Sequence, residues 1–131
     1  MSSRRNVDIL LKMVGYCDEI DETIELFGKS YETFASNKTY KNATAMCILQ
    51  IGELAGHLSD DFRATYPGMP WQDMKGMRNV AAHRYGDIDL ETLWGTITTN
   101  IPALREYCDT IISQYRVLHQ DCVENLEQDE Q

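Results

Sequence analysis

The sequence lacks the features of membrane, secreted and zinc-binding proteins. No apolar run approaches the roughly 18 residues that span a bilayer, and the basic amino terminus is not followed by the apolar core of a signal peptide. The 4 cysteines form no Cys-x-x-Cys pair and no cluster with histidine, so a zinc site is not expected. Cys17, Cys47 and Cys108 fall on apolar helical positions, where reduced thiols act as small hydrophobes. The sequence therefore predicts a cytoplasmic protein without metal or other cofactor.

Basic residues are also scarce. The 131 residues contain 12 Lys and Arg against 21 Asp and Glu, a formal net charge of −9, which by itself argues against a nucleic-acid ligand. Five carboxylates lie in residues 121–131, which we expect to form an acidic, frayed tail. Residues 1–120 are expected to form one domain, because the chain is too short for a second core. Any contact with a polyanion must then be local.

Strand signals are almost absent, because neither period-2 alternation nor an Asn-Gly or Asp-Gly turn occurs. Apolar residues instead recur at steps of three or four in three segments: Val7–Phe27, Ala43–Leu58 and Leu90–Leu118. A fourth main helix is predicted at Gln72–Tyr85, and short ones follow Ser30 and Ser59, which are typical N-cap residues. Gly28 is the expected end of the first helix. This order predicts an all-α, up-and-down bundle of four main helices plus short helices.

Pro102 lies inside the last apolar segment. A proline removes one backbone donor and here crowds the carbonyl of Thr98. The apolar heptad seam nevertheless runs from Leu90 to Leu118 without a change of register. We therefore expect one kinked helix and not two separate helices.

Polar residues concentrate in Met77–Gly86, around the end of the predicted fourth main helix. Asn79 and His83 are four residues apart and share a helix face, so the Asn79 amide can hold one imidazole nitrogen. Arg78 lies about 140° around an ideal helix from His83. One straight helix does not aim both side chains at one phosphate. Either the helix end unwinds or a second chain supplies the partner group.

These side chains suit cleavage of RNA without a metal. Histidine can take a proton from the ribose 2′-hydroxyl or give one to the leaving 5′-oxygen, and arginine can hold the phosphate bidentately. Tyr85 can stack on a base or contact phosphate. Spacing alone leaves a structural interpretation open, in which His83 caps the helix and Arg78 pairs with Glu53 or Asp73.

The motif at Arg78–Tyr85 resembles Arg-Asn-x-x-x-His-x-Tyr, the motif of HEPN-domain toxins of the HepT type. Gln50–Glu53 is similar to the Ile-Gly-Glu stretch of that family, and Tyr66–Trp71 is similar to its Tyr-Pro-x-x-Pro-Trp stretch. Gly86–Glu91 resembles the segment that follows the family's histidine. These matches occur in family order over residues 7–118, which is nearly the whole predicted domain.

The resemblance implies a HEPN-like homodimer that is the toxin of a type II toxin–antitoxin pair and a metal-independent endoribonuclease. Arg78 and His83 would then be the catalytic pair in a cleft between two protomers, with Asn79 orienting the histidine. Glu53 would support Arg78, although a pair with His57, four residues later, is the alternative.

The implied protein partner is a small nucleotidyltransferase antitoxin that transfers AMP to Tyr85. The transfer would place bulk and phosphate charge two residues from the histidine and so block RNA. The alternative function is a non-catalytic helical binding module, or substrate subunit, of a nucleotidyltransferase.

Overall fold

The chain is α-helical throughout the part that the structure describes. A computed structural model describes residues 3–71, 74 and 90–119. Its helices are α1 (Ser3–Phe27), α2 (Tyr31–Ser36), α3 (Lys38–Gly56), α4 (Asp60–Thr65), α5 (Leu90–Gly95) and α6 (Ile101–Leu118). A π-helical turn, Thr96–Asn100, joins α5 to α6. No strand occurs in these ranges, which confirms the predicted all-α fold class. None of the helices in them is long and apolar enough to cross a membrane.

α1 is long because one stripe of it is apolar from end to end. Leu10, Met13, Cys17 and Ile20 are each at most 1% exposed, and α1 packs against α3 and α6. The helix ends before Gly28, whose φ of 105° is the left-handed conformation that glycine adopts after a helix C-terminus. Both the apolar stripe and its glycine end are as the sequence predicts.

Polar side chains fix where the next helices begin. Ser30, Asn37 and Ser59 stand immediately before α2, α3 and α4. Each side-chain oxygen accepts a hydrogen bond from the backbone N–H three residues later, at 3.3, 3.0 and 3.2 Å respectively. The two serine caps are predicted from the sequence, but the Asn37 cap is not. As a result α3 begins at Lys38, earlier than Ala43, where the apolar pattern starts.

A buried asparagine ties the corner between α3 and α4 back to α1. Asn6 is 5% exposed. Its Nδ2 donates to Ser59 Oγ at 3.1 Å, and its Oδ1 accepts from the Ser59 N–H at 3.1 Å. Because Asn6 uses both its donor and its acceptor on one residue, the start of α1 and the start of α4 are held in a fixed relation.

The C-terminal helix, defined as α5, the π turn and α6, is continuous over residues 90–118. The residues that flank the π turn keep right-handed helical backbone angles. The Ile101 N–H donates to the Thr96 carbonyl, five residues earlier, directly before Pro102. The wider turn accommodates a proline that lacks a donor and needs space. The predicted single helix is confirmed, and its distortion lies at the π turn.

The core lies where α1, α3 and the C-terminal helix meet. Cys17, Cys47 and Cys108 are free thiols buried in it, which confirms their predicted apolar positions. The heptad seam is buried from Ile97 to Ile111. The helix continues to Leu118, as predicted, but the Leu118 side chain at the end of the seam is 79% exposed in the single chain.

Candidate active site

The predicted site residues fall into two groups. Arg78, Asn79, His83 and Tyr85 lie outside the described residues, as does most of the predicted Gln72–Tyr85 helix. Glu53 lies on α3 and is half-buried. The structure therefore shows the chain on both sides of the motif segment, which are the connector before it (residues 66–71) and the C-terminal helix after it, and it places Glu53 on α3.

Glu53 lies on the outer face of α3. Residues 50, 53 and 57 are three and four apart, so they share one side of the helix, and burial decreases along it from half-buried Gln50 to exposed His57. Ile51 and Gly52, which precede Glu53, are buried on the opposite side. A half-buried carboxylate in this position can pair with a cation from a neighbouring element. The placement is suitable for the predicted support of an arginine.

Trp71 anchors the chain where the motif segment begins. Its side chain is 4% exposed, and its Nε1–H donates to the Tyr66 carbonyl at 2.7 Å. Its ring centroid lies 6.0 Å from that of Phe62. Met74 is 5% exposed, and its N–H donates to the Pro70 carbonyl at 3.0 Å. Buried side chains and a first helical hydrogen bond thus set the direction in which the chain leaves the connector.

Tyr107 of α6 holds the connector against the C-terminal helix. The Gly68 N–H donates to the Tyr107 hydroxyl at 3.0 Å, and the Tyr107 ring centroid lies 6.1 Å from that of Trp71. A Cβ on residue 68 would lie 2.6 Å from the Tyr107 ring, closer than packed carbon atoms approach. A larger residue at position 68 would therefore require the Tyr107 ring to shift, and glycine avoids this.

A second aromatic cluster anchors the chain where it returns from the motif segment. Trp94 of α5 packs against Tyr31, Phe34 and Tyr40, with ring centroids 6.3, 5.2 and 6.2 Å away. Leu93, next to it, is 3% exposed. The described residues on both sides of segment 75–89 are thus set in packed aromatic clusters.

A groove of about 510 Å³ opens between the connector and the C-terminal helix, and we name it the connector groove. Its described lining includes Met69, Pro70, Met74, Thr99, Asn100 and Ala103. None of the described lining residues carries a charge. The sequence pattern does not predict this groove. The one feature of the sequence that could have indicated the groove is the pair of polar residues Thr99 and Asn100, which shortly precede a proline within a helix.

Two arginines of the described part are paired with carboxylates. Arg105 on α6 donates to Asp18 and to Asp109, at 2.5 Å each, and hydrogen bonds and charge from these carboxylates raise the pKa of Arg105. Arg63 pairs with Asp60 at 2.5 Å. These two arginines therefore do not form a phosphate site. Within residues 3–71, 74 and 90–119, no group of three or more His, Cys, Asp or Glu is placed to hold a metal ion.

Comparison with known proteins identifies similar chains. The family model described as "Ribonuclease HepT-like" matches residues 15–111. "Putative RNase MJ0125" of Methanocaldococcus jannaschii is 32% identical over 103 residues, which cover 79% of this chain and 87% of that protein. "Probable ribonuclease HepT" of Thermococcus cleftensis is 32% identical over 95 residues, which cover 69% of this chain and 86% of that protein. No solved structure matches the chain significantly.

Proposed function

Because the chain belongs to the HepT-like ribonuclease family, we propose that it is an endoribonuclease that cuts RNA through Arg78 and His83. The observation that carries the proposal is the family match over residues 15–111, a range that includes every residue of the motif. The two aromatic clusters support it, because packed rings fix the chain before and after the motif segment. A catalytic constellation needs this kind of rigid support.

His83 and Arg78 divide the chemistry. The imidazole of His83 takes the proton of the ribose 2′-hydroxyl as the 2′-oxygen attacks the phosphorus. The bond between phosphorus and the 5′-oxygen then breaks, and the leaving oxygen receives a proton. Arg78 holds the phosphate and stabilises the charge that grows on its oxygens. The products are a 2′,3′-cyclic phosphate and a 5′-hydroxyl, and the reaction uses no metal.

Two protomers complete the site in this proposal. Arg78 and His83 of one straight helix point about 140° apart, whereas in a homodimer Arg78 of one protomer and the partner's His83 can face the same phosphate. The second histidine is then available to protonate the leaving oxygen. Asn79 orients His83 from one helical turn away, and Glu53, half-buried on α3, supports Arg78.

Cleavage of RNA in EDTA tests the catalytic proposal. The wild-type protein should leave cyclic phosphate ends, whereas His83→Ala and Arg78→Ala should each lose activity by about 100-fold or more. His119→Ala is the matched control, because His119 lies after α6, where its Nδ1 is 3.0 Å from the Tyr115 carbonyl. The control should keep full activity. Cleavage that survives both motif substitutions would show that another site or a contaminant is responsible.

We further propose that the enzyme is the toxin of a type II toxin–antitoxin pair. A nucleotidyltransferase antitoxin transfers AMP from ATP to the Tyr85 hydroxyl, two residues after His83, and releases pyrophosphate and the hydroxyl proton. The transferred group adds negative charge and bulk, which repel and block the RNA phosphate. Incubation with such a partner and ATP should increase the intact mass by whole AMP units, and Tyr85→Phe should abolish the increase. An unchanged mass in the wild-type protein would contradict this assignment.

The net charge of −9 favours a second candidate function. An acidic surface repels RNA, so the chain could instead serve a nucleotidyltransferase as a non-catalytic binding module or substrate subunit. This function predicts a stable complex and modification of Tyr85 with no loss of RNA at any protein concentration. The cleavage assay above distinguishes the two.

A further inference from the structure

We propose that the connector groove binds one nucleobase of the RNA substrate and that the Asn100 amide pairs with the edge of that base. This inference rests on the proposed ribonuclease function and adds a substrate subsite to it. Met74 lines the groove and precedes the motif arginine Arg78 by four residues. A base held in the groove therefore lies beside the segment that carries the catalytic residues.

The described lining of the groove is uncharged and so favours the base over the phosphate. The chain has a formal charge of −9, and its described groove lining contains neither a cation to attract phosphate nor a carboxylate to repel RNA. A nucleobase is the uncharged part of a nucleotide and can be desolvated at low cost against apolar walls. The groove can therefore bind the base while the phosphates remain outside it.

The helix side of the groove offers unused hydrogen-bonding groups. Thr99 and Asn100 are exposed, and the Asn100 side chain makes no capping bond to α6 and no other bond to the described residues. An amide presents one donor and one acceptor side by side, and base edges present matching pairs. Pro102 has no N–H, so the π turn also leaves a backbone carbonyl without its usual donor. The π turn thus provides a backbone carbonyl that would accept an internal hydrogen bond in a regular α-helix.

The connector side of the groove provides the apolar surface. Met69 and Met74 carry polarisable thioethers, which make favourable contacts with aromatic rings. Pro70, between them, has no N–H to satisfy. The volume of about 510 Å³ lies within the range of small-ligand pockets. Tyr107 holds this side in place through its bond to Gly68, so the groove exists before a ligand binds.

Methionine methyl NMR tests the groove independently of any catalytic activity. The chain has 6 methionines, so Met69→Leu and Met74→Leu variants can assign the two groove signals. Adenosine, guanosine, cytidine or uridine at millimolar concentration should shift these two signals, and ribose 5-phosphate should not. Ala103→Phe, which fills the groove from an exposed position, should abolish the shift, whereas Thr110→Phe, an exposed site on the same helix outside the groove, should not. No shift with any nucleoside, or an equal shift with ribose 5-phosphate, would overturn the proposal.

A cleavage assay with abasic RNA connects the groove to the enzyme. In an oligonucleotide that the wild-type protein cuts, removal of one particular base should lower kcat/KM about tenfold. Asn100→Ala should cause a similar loss with intact RNA and little further loss with that abasic RNA. If Asn100→Ala leaves kcat/KM unchanged, or keeps full sensitivity to the missing base, the subsite is not in this groove. If the wild-type protein cuts no RNA, the proposed function fails while the NMR result still decides the groove.

Discussion

Gly68 and Tyr107 lie so close together that each residue limits what the other can be. The hydroxyl of Tyr107 accepts the Gly68 N–H, and the ring occupies the space of a missing Cβ. The connector that precedes the motif therefore depends on a contact between residues 39 positions apart in the chain. Neither residue stands out in the sequence, where Gly68 is one glycine in a turn-rich segment and Tyr107 one aromatic in a helix.

Gly68→Ala should destabilise the protein by about 1–3 kcal/mol, because the new Cβ forces the tyrosine ring to move. In a Tyr107→Leu background the ring is absent, and the same substitution should cost clearly less. Urea unfolding of the wild type, both single variants and the double variant measures this coupling. An equal cost in both backgrounds would mean that the close approach is not the cause.

The buried cysteines should be unreactive in the folded protein. Burial is the main cause that raises the pKa of Cys17, Cys47 and Cys108 to about 12 each, and only the thiolate attacks thiol reagents. The fourth cysteine of the sequence, Cys122, is removed by a Cys122→Ser substitution so that only these three thiols are measured. In this background, native protein at pH 8 should react about 100-fold more slowly than protein unfolded in guanidinium. A colorimetric thiol titration with and without denaturant measures both rates. Fast reaction of the native protein would show that these thiols are accessible.

The same pKa shifts determine the effect of high pH. Well below the ordinary thiol pKa of 9.0, all three thiols are protonated in both states. Above that value the unfolded chain loses protons first, because the folded pKa values are near 12. The free energy of unfolding should therefore fall as the pH rises from about 9 towards 12, and burial raises the pKa of Tyr40 in the same direction. Urea unfolding over this pH range provides the measurement, and a flat profile would contradict it.

Four described helix boundaries, marked by Gly28, Ser30, Asn37 and Ser59, each depend on a single capping residue. This explains which helix boundaries the sequence predicts correctly and which it does not. Ser30, Ser59 and Gly28 adjoin clear apolar patterns, so their caps are predicted correctly. Asn37 is followed by mostly polar residues before the apolar stripe of α3 begins, and this hides the true start at Lys38. A capping residue acts through local hydrogen bonds, but it can be recognised in the sequence only when an apolar helical pattern begins or ends beside it.

The hydrophobic pattern of the sequence is not sufficient to predict the π turn in the C-terminal helix or the connector groove. The apolar seam on both sides of Pro102 indicates one continuous helix. The π turn, however, depends on which backbone N–H groups can donate, and the spacing of apolar side chains carries no information about them. The connector groove forms between residues 68–74 and residues 96–104, which are distant in the chain and come together through core packing and through the contact of Tyr107 with Gly68. The motif and Glu53, by contrast, are predicted from residue type and family order alone.

Asn6→Ala should loosen the corner between α3 and α4. The substitution leaves the Ser59 N–H and Oγ without the partners that Asn6 provides at 3.1 Å, and loss of these bonds should cost about 1–3 kcal/mol. Asn42→Ala is the matched control, because Asn42 is exposed on α3 and its change should stay within about 0.5 kcal/mol. Urea unfolding of both variants gives the comparison. Equal stability of the two variants would show that the buried pair contributes nothing.

At the scale of the whole molecule, the chain belongs to a ribonuclease family but carries a large negative net charge. The family match and the described helices confirm the predicted family, the all-α fold and the ribonuclease class. The net charge of −9 acts against RNA over distances of about a Debye length, roughly 10 Å at 0.1 M salt. Local features must then compensate, and the connector groove, whose described lining carries no charge, is one surface that does not repel RNA.

Removal of residues 121–131 should strengthen RNA binding. The truncation deletes five carboxylates and changes the formal charge from −9 to −4, so long-range repulsion weakens. In a His83→Ala background, which prevents cleavage under the proposed mechanism, fluorescence anisotropy should show about threefold to tenfold tighter binding at low salt and no difference at high salt, where charges are screened.

A full-length variant with the five tail carboxylates changed to Asn or Gln separates charge from length and should bind RNA as tightly as the truncated chain. Thermal unfolding should be unchanged in both variants if residues 1–120 are the folding unit. Affinity that is equal to that of the full-length protein at low salt would show that the tail lies beyond the reach of bound RNA. A gain that persists at high salt would instead mean that the tail blocks the site by contact, because screening removes only the electrostatic part.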